Sequence, residues 1–261
     1  MQGVSAYETR PFLKVRRAYT DILTASRRKD IIHGLFEIDV TEPRRVVQAR
    51  RAAGEDISFT AFVLHAVARA VDENKVLHAY RRRNRLILFH DVDVNTQIEA
   101  EVAGQRIVQS LVVRAANRRS VEDLTHEIRS AQGSDVESER RYRRTLTFLS
   151  LPRALRTLAW RVVLDEPRLF KKLGGTVALS SIGMFGPTGG WGIPVGPATL
   201  MITVGGVACR PAYVEGRLEE RQLLAVTVSV DHAIVDGAAA GRFARRLAEL
   251  IESASGLAES G

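Results

Sequence analysis

The segment Asp231-His232-Ala233-Ile234-Val235-Asp236-Gly237 places a histidine between two aspartates. Histidine is the side chain that exchanges protons near neutral pH, so it is suited to act as a general base. Carboxylates near an imidazole can fix its tautomer and tune its basicity. Asp236 has a second reading, because it stands just ahead of Ala238-Ala239-Ala240, and aspartate is a favoured helix cap. Capping and charge pairing both remain open for it. A metal centre is the rival reading of His232, yet one histidine and two aspartates this close in sequence need ligands from elsewhere to converge. Cys209 is the only cysteine; it lacks a nearby histidine in sequence and any motif that would make it a nucleophile.

The base needs a rigid support. Leu224 to Val230 alternates as a buried strand that would hold His232 at its end, and the run after Gly237 opens a helix with Phe243, Leu247, Leu250 and Ile251 on one face. Upstream, helical spacing runs from Phe12 to Ser26, and His33 to Val40 alternates as a strand. Thr41-Glu42-Pro43 starts a second helix, and Ser58 caps a third through Val71. Leu86 to Thr96 and Arg106 to Val113 read as strands, and Ser120 caps a helix carrying Val121, Leu124 and Ile128. Glu137 to Lys172 is an atypical helical excursion, interrupted at Pro152 and Pro167. Its arginine-rich pattern reads either as helices packed on the body or as a basic amphipathic segment that meets a membrane or a partner. Thr176 to Ser181 and Thr199 to Val207 read as strands around a loop rich in Gly and Pro, Gly183 to Pro197. Tyr213 to Leu218 reads as a hairpin turn. This order of elements predicts one mixed α/β domain over residues 1–261, with loose ends at about 1–9 and 254–261.

A chain of 261 residues, 45% hydrophobic and 26% charged, has ordinary globular values. No basic segment followed by an apolar one marks a signal peptide, and no apolar run approaches a membrane span. With a single cysteine there is no internal disulfide, which fits a cytoplasmic setting. The net charge of +8 and pI of about 10.1 come mostly from arginine. They fit a solvated surface, capture of a phosphate-bearing ligand, or nucleic-acid binding. Against the last stand the 6% aromatic content and the lack of any zinc spacing, RNP pattern or helix-turn-helix signature, so no specific nucleic-acid partner is expected.

The pattern Asp-His-x-x-x-Asp-Gly after a strand resembles the signature of the 2-oxo acid dehydrogenase acyltransferases, the E2 components, which share a fold with chloramphenicol acetyltransferase. Val177-Ala178-Leu179-Ser180-Ser181-Ile182-Gly183-Met184-Phe185-Gly186 resembles that family's F-T-I-S-N-L-G-M-F-G segment. Ser58 to Ala70 resembles its second helix, and Arg16-Arg17-Ala18 to Ser26 its first. The strand from His33 through Glu37, Asp39 and Val40 is similar too, so the resemblance covers about residues 10–255.

The resemblance implies a mixed β-sheet flanked by helices, of the chloramphenicol acetyltransferase-like kind, and direct acyl transfer with coenzyme A or acyl-CoA as substrate. It implies His232 as the base and Ser180, rather than Ser181, as the oxyanion donor. The two would come from neighbouring subunits of a homotrimer that could assemble further. Asp236 would pair with Arg16 or Arg17 to support the histidine loop. The chain departs from the family in three ways. Val195-Gly196-Pro197 replaces an N-P-P run, the 137–172 stretch lacks the K-L-x-P-E-D-L run, and no lipoyl-bearing segment precedes the core. A stand-alone form is therefore expected, taking its lipoyl group only from another chain, a lipoyl-bearing protein or other dehydrogenase components, or else acylating a small molecule. The competing reading is an inactive trimeric or cage-forming scaffold.

Overall fold

Apolar alternation and helix caps place the elements in chain order. Helix α1 (Lys14–Ser26) leads into strand β1 (Ile31–Asp39) and helix α2 (Thr41–Ala52). Helix α3 (Phe59–Asp72) begins where Ser58 Oγ accepts the Ala61 N–H, as its cap position requires. Strands β2 (Tyr80–Arg82) and β3 (Arg85–Ile87) pair with each other, followed by β4 (Val94–Val102) and β5 (Gln105–Val113). Ser120 caps α4 (Val121–Gly133), and α5 (Asp135–Ser150), α6 (Arg153–Asp165) and α7 (Pro167–Gly174) form the excursion. Strands β6 (Val177–Ser181), β7 (Leu200–Val214) and β8 (Arg217–Asp231) and helix α8 (Gly237–Glu252) complete the chain. The computed structural model describes residues 8–12, 14–27, 29–102, 105–182 and 189–257. Gly183 to Gly186 of the family-like segment, part of the expected glycine loop, and the ends at 1–7 and 258–261 lie outside the described residues.

Six strands form one sheet in the order β1-β8-β7-β6-β4-β5. β6 runs parallel to both neighbours, and the other pairs are antiparallel. The expected mixed sheet flanked by helices is thus present. Because strand side chains alternate between faces, the register divides the sheet in two. Val177, Leu200, Val230 and Ile32 make one cross-strand row, and Leu179, Ile202, Val228 and Gly34 the next. These rows belong to the main core, which also contains Phe62, Leu64 and Val67 of α3 and Leu247 and Ile251 of α8. The opposite face is mixed, with Ser180, Thr203, Thr227 and Leu35 in one row and Ala178, Met201, Ser229 and His33 in the next; Met201 and Ala178 there join a smaller apolar cluster with Tyr80 and Phe170.

Three expectations change. The single strand read over Leu86 to Thr96 breaks between β3 and β4. There the Asn117 side-chain carbonyl accepts the Val92 N–H at 2.9 Å and the Asp93 carboxylate accepts the Ala115 N–H at 3.0 Å, diverting the backbone from a sheet ladder. β7 and β8 each run 15 residues, well past the apolar alternation. Their outer arm is a backbone ladder closed by Glu215 and Gly216 at φ 48 and 81, the left-handed pair that suits a two-residue hairpin. The tail expected to be loose turns back on the body, where Ala254 and Leu257 join the core.

The excursion is three helices, with Pro152 capping α6 and Pro167 opening α7. Arg156 turns inward to a 2.7 Å ion pair with Asp21 of α1, and the Tyr80 hydroxyl donates to the Leu164 carbonyl at 2.6 Å. Among the described residues no helix is long and apolar enough to cross a membrane.

Candidate active site

His232 follows the last residue of β8, in a turn tied to the body by backbone bonds. Its N–H donates to Asp30 O at 2.7 Å, and the Asp231 carbonyl accepts the N–H groups of Ile234 and Val235 at 2.9 Å. The ring is exposed and its Nδ1 lies 3.2 Å from Val235 O. A carbonyl oxygen only accepts, so Nδ1 carries the proton and Nε2 keeps its lone pair. That is the tautomer a general base requires.

Ser180 stands near the end of β6 and lines a cavity of ≈ 870 Å³ with Ser58, Thr96, Gln97, Ile98, Ser181 and Val204, among others. Such a volume suits a ligand the size of a thioester arm. Thr203 and Thr227 share its cross-strand row, and their hydroxyls are buried without a hydrogen-bond partner among the described residues. The segment Gly189 to Pro197 passes close to the sheet. Trp191 Nε1 donates to Phe36 O at 3.2 Å, and a Cβ on Gly205 would meet Gly190 O at 2.0 Å. Ile193 and Val195 on this segment are exposed.

The register separates the two candidate groups. Val230 lies opposite Leu200, whereas Ser180 lies opposite Thr203. His232 is therefore about five residues along the strands and two strands across from Ser180, roughly 16 Å by 10 Å. Reacting groups must approach to about 3–3.5 Å, so these two do not serve one acyl carbon within a single chain.

Residues 143–258 match the family model of the 2-oxoacid dehydrogenases acyltransferase catalytic domain. Over that segment, somewhat under half of the chain, the sequence is similar to this family. The segment includes Ser180, His232 and the strands that carry them. A Bacillus subtilis relative, the lipoamide acyltransferase component of the branched-chain α-keto acid dehydrogenase complex, is 22% identical over 254 residues, covering 93% of this chain and 52% of its own. The chain spans about half the length of the curated relatives it matches. The solved probable dihydrolipoamide acetyltransferase of Listeria monocytogenes superposes with a TM-score of 0.70 at 22% identity, over 98% of both chains. A dihydrolipoamide acetyltransferase of Azotobacter vinelandii superposes with a TM-score of 0.72 at 19% identity, over 96% of this chain and 93% of its own; a serine, a histidine and an asparagine were investigated there for their catalytic role. The expected fold is therefore that of the acyltransferase cores.

The histidine loop is anchored from an unexpected direction. Lys29, between α1 and β1, makes a 2.7 Å ion pair with Asp231, and both side chains are largely buried. The other Asp231 oxygen accepts the Ala233 N–H at 3.2 Å. Lys29 also sits 5.3 Å from the Tyr80 ring centre, and burial, reinforced by Asp165 and Asp231, pushes the Tyr80 phenol up to about 12. Asp236 caps α8, accepting the Ala239 N–H at 2.7 Å. Arg16 and Arg17 are exposed on α1, and Arg17 lines a groove with Phe12, Leu149 and Arg156. Neither arginine pairs with Asp236 among the described residues. Sequence reading missed Lys29, which nothing distinguishes from other basic residues until the fold is closed. It also missed Thr203 and Thr227, whose signal was a polar residue inside an apolar strand.

Proposed function

We propose that this chain is a coenzyme A-dependent acyltransferase. It moves an acyl group between the thiol of coenzyme A and an acceptor, either a dihydrolipoyl thiol carried by another chain or a small molecule. The observation that carries this reading is the His232 tautomer, with Nδ1 committed to Val235 O and Nε2 left as base. The names of the Bacillus and Listeria proteins, a lipoamide acyltransferase and a probable dihydrolipoamide acetyltransferase, support the substrate class. The Azotobacter residues support the site: its asparagine stands four positions after its histidine, as Asp236 does after His232.

The chemistry closes without a covalent enzyme intermediate. Nε2 of His232 takes the proton of the attacking thiol, because the thiolate is the nucleophilic form. The thiolate adds to the thioester carbonyl, and the Ser180 hydroxyl donates a hydrogen bond to the resulting oxyanion. The C–S bond of the donor then breaks, and the departing sulfur recovers the proton from His232. Since His232 and Ser180 stand far apart in one chain, His232 of one copy works on Ser180 of the next. A head-to-tail contact of this kind closes into a ring, and we assign a homotrimer. Exposed Ile193 and Val195 beside the cavity offer apolar surface for that contact.

The test is acyl exchange between acetyl-CoA and dihydrolipoamide or a panel of small acceptors, read by mass spectrometry. Wild-type protein transfers the acyl group, and His232→Ala lowers the rate by about 10²–10⁴. Equal rates for the two proteins would rule out His232 as the base.

A further inference from the structure

Helices α6 and α7 carry a surface that the acyl-transfer site does not use. Leu155, Leu158 and Val162 fall at i, i+3 and i+7 of α6, and Leu169 and Leu173 at i and i+4 of α7. Such spacings put each set on one helix face. All five side chains are between 37% and 58% exposed. The inner side of α6 is already occupied: Arg156 pairs with Asp21, Trp160 meets the Phe148 ring, and the Leu164 carbonyl takes the Tyr80 hydroxyl. The leucine stripe is therefore an outward surface rather than an unfilled part of the core.

Charge marks the same surface. From Asp135 to Gly174 there are ten basic and five acidic residues, so this stretch holds five of the chain's eight net positive charges. Arg153, Arg161, Arg168 and Lys172 are exposed on α6 and α7. None of the four forms an ion pair among the described residues, whereas Arg156 and Lys171 of the same helices pair with Asp21 and Asp93. Apolar side chains flanked by unpaired cations on exposed helices match the headgroup–acyl boundary of an anionic bilayer. A second copy presenting the same face would meet like charge.

We propose that α6 and α7 dock the protein onto anionic lipid, with the leucines in the interface and Arg161, Arg168 and Lys172 against the headgroups. The proposal is independent of the acyl-transfer reading. It is tested by co-sedimenting the full chain with vesicles of phosphatidylcholine alone and of phosphatidylcholine mixed with phosphatidylglycerol. The expected result is retention by the anionic vesicles only, weakened by salt. Arg161→Gln with Lys172→Gln should weaken retention about thirtyfold. Leu155→Ser with Leu158→Ser and Val162→Ser should weaken it at least tenfold, while mass by light scattering and melting temperature stay at wild-type values. Three results would overturn the proposal: no preference for anionic vesicles, retention unchanged by the leucine variants, or a lower mass in those variants, which would show that a second copy covers the stripe.

Discussion

Lys29 Nζ lies 2.7 Å from the Asp231 carboxylate, across 202 residues of chain. The pair fixes the residue immediately before His232 and joins the start of β1 to the end of β8. Removing one partner of a buried ion pair leaves the other uncompensated, at a cost of about 3–5 kcal/mol. Lys29→Met should therefore lose stability of that order in urea denaturation and reduce acyl transfer at temperatures where it remains folded. A variant with wild-type stability and rate would remove the pair from the account of the loop.

The role proposed for Ser180 is a single hydrogen bond to a transition-state oxyanion, so its effect should appear in kcat. Ser180→Ala is expected to lower kcat by about 10²–10³ with little change in KM. Ser181→Ala, one residue on and also lining the cavity, should change kcat by far less. Steady-state kinetics on the two variants distinguishes them, and a reversed order would move the donor to Ser181.

Gly205 lets the segment at Gly190 approach β7, since any Cβ there would meet Gly190 O at 2.0 Å and Ala225 Cβ at 3.1 Å. Gly205→Ala must push that segment off the sheet. It should cost about 1–3 kcal/mol and impair transfer, because Gly205 also lines the Ser180 cavity. Thermal melting and the exchange assay measure the two effects separately.

Burial holds the His78 imidazole down at about 4 from an ordinary 6.5, with nearby Lys75 adding to the effect. Between those values the unfolded chain binds a proton that the folded chain does not. This contribution is complete above pH 6.5 and is lost as pH falls towards 4. It amounts to about 3 kcal/mol. Denaturant titrations across that window should show a shallower loss in His78→Gln than in wild type; parallel pH profiles would contradict the assignment.

The parts of this structure legible in the sequence are those coded locally. The caps at Ser58 and Ser120, the stripe of α8 and the hairpin at Glu215-Gly216 each depend on a few neighbouring residues, and all appear where their patterns place them. His232 at a strand end was legible for the same reason. Asp236 also caps its helix, one of the two readings its position left open. The ion pair of Lys29 was hidden because it joins residues distant in sequence. The break before β4 was hidden because Asp93 and Asn117 redirect the backbone through bonds that hydrophobic alternation does not encode. The outer arm of β7 and β8 is polar and held by its backbone ladder, so apolar periodicity ended before the strands did.

The central claim is that a working site takes His232 from one copy and Ser180 from another. Co-expression of His232→Ala and Ser180→Ala chains tests it most directly. Randomly mixed trimers should recover roughly a quarter of wild-type acyl exchange, because mixed rings hold one intact site in three, while each variant alone stays near background. Mixed assemblies confirmed by mass spectrometry that remain as inactive as either parent would contradict a site shared between copies.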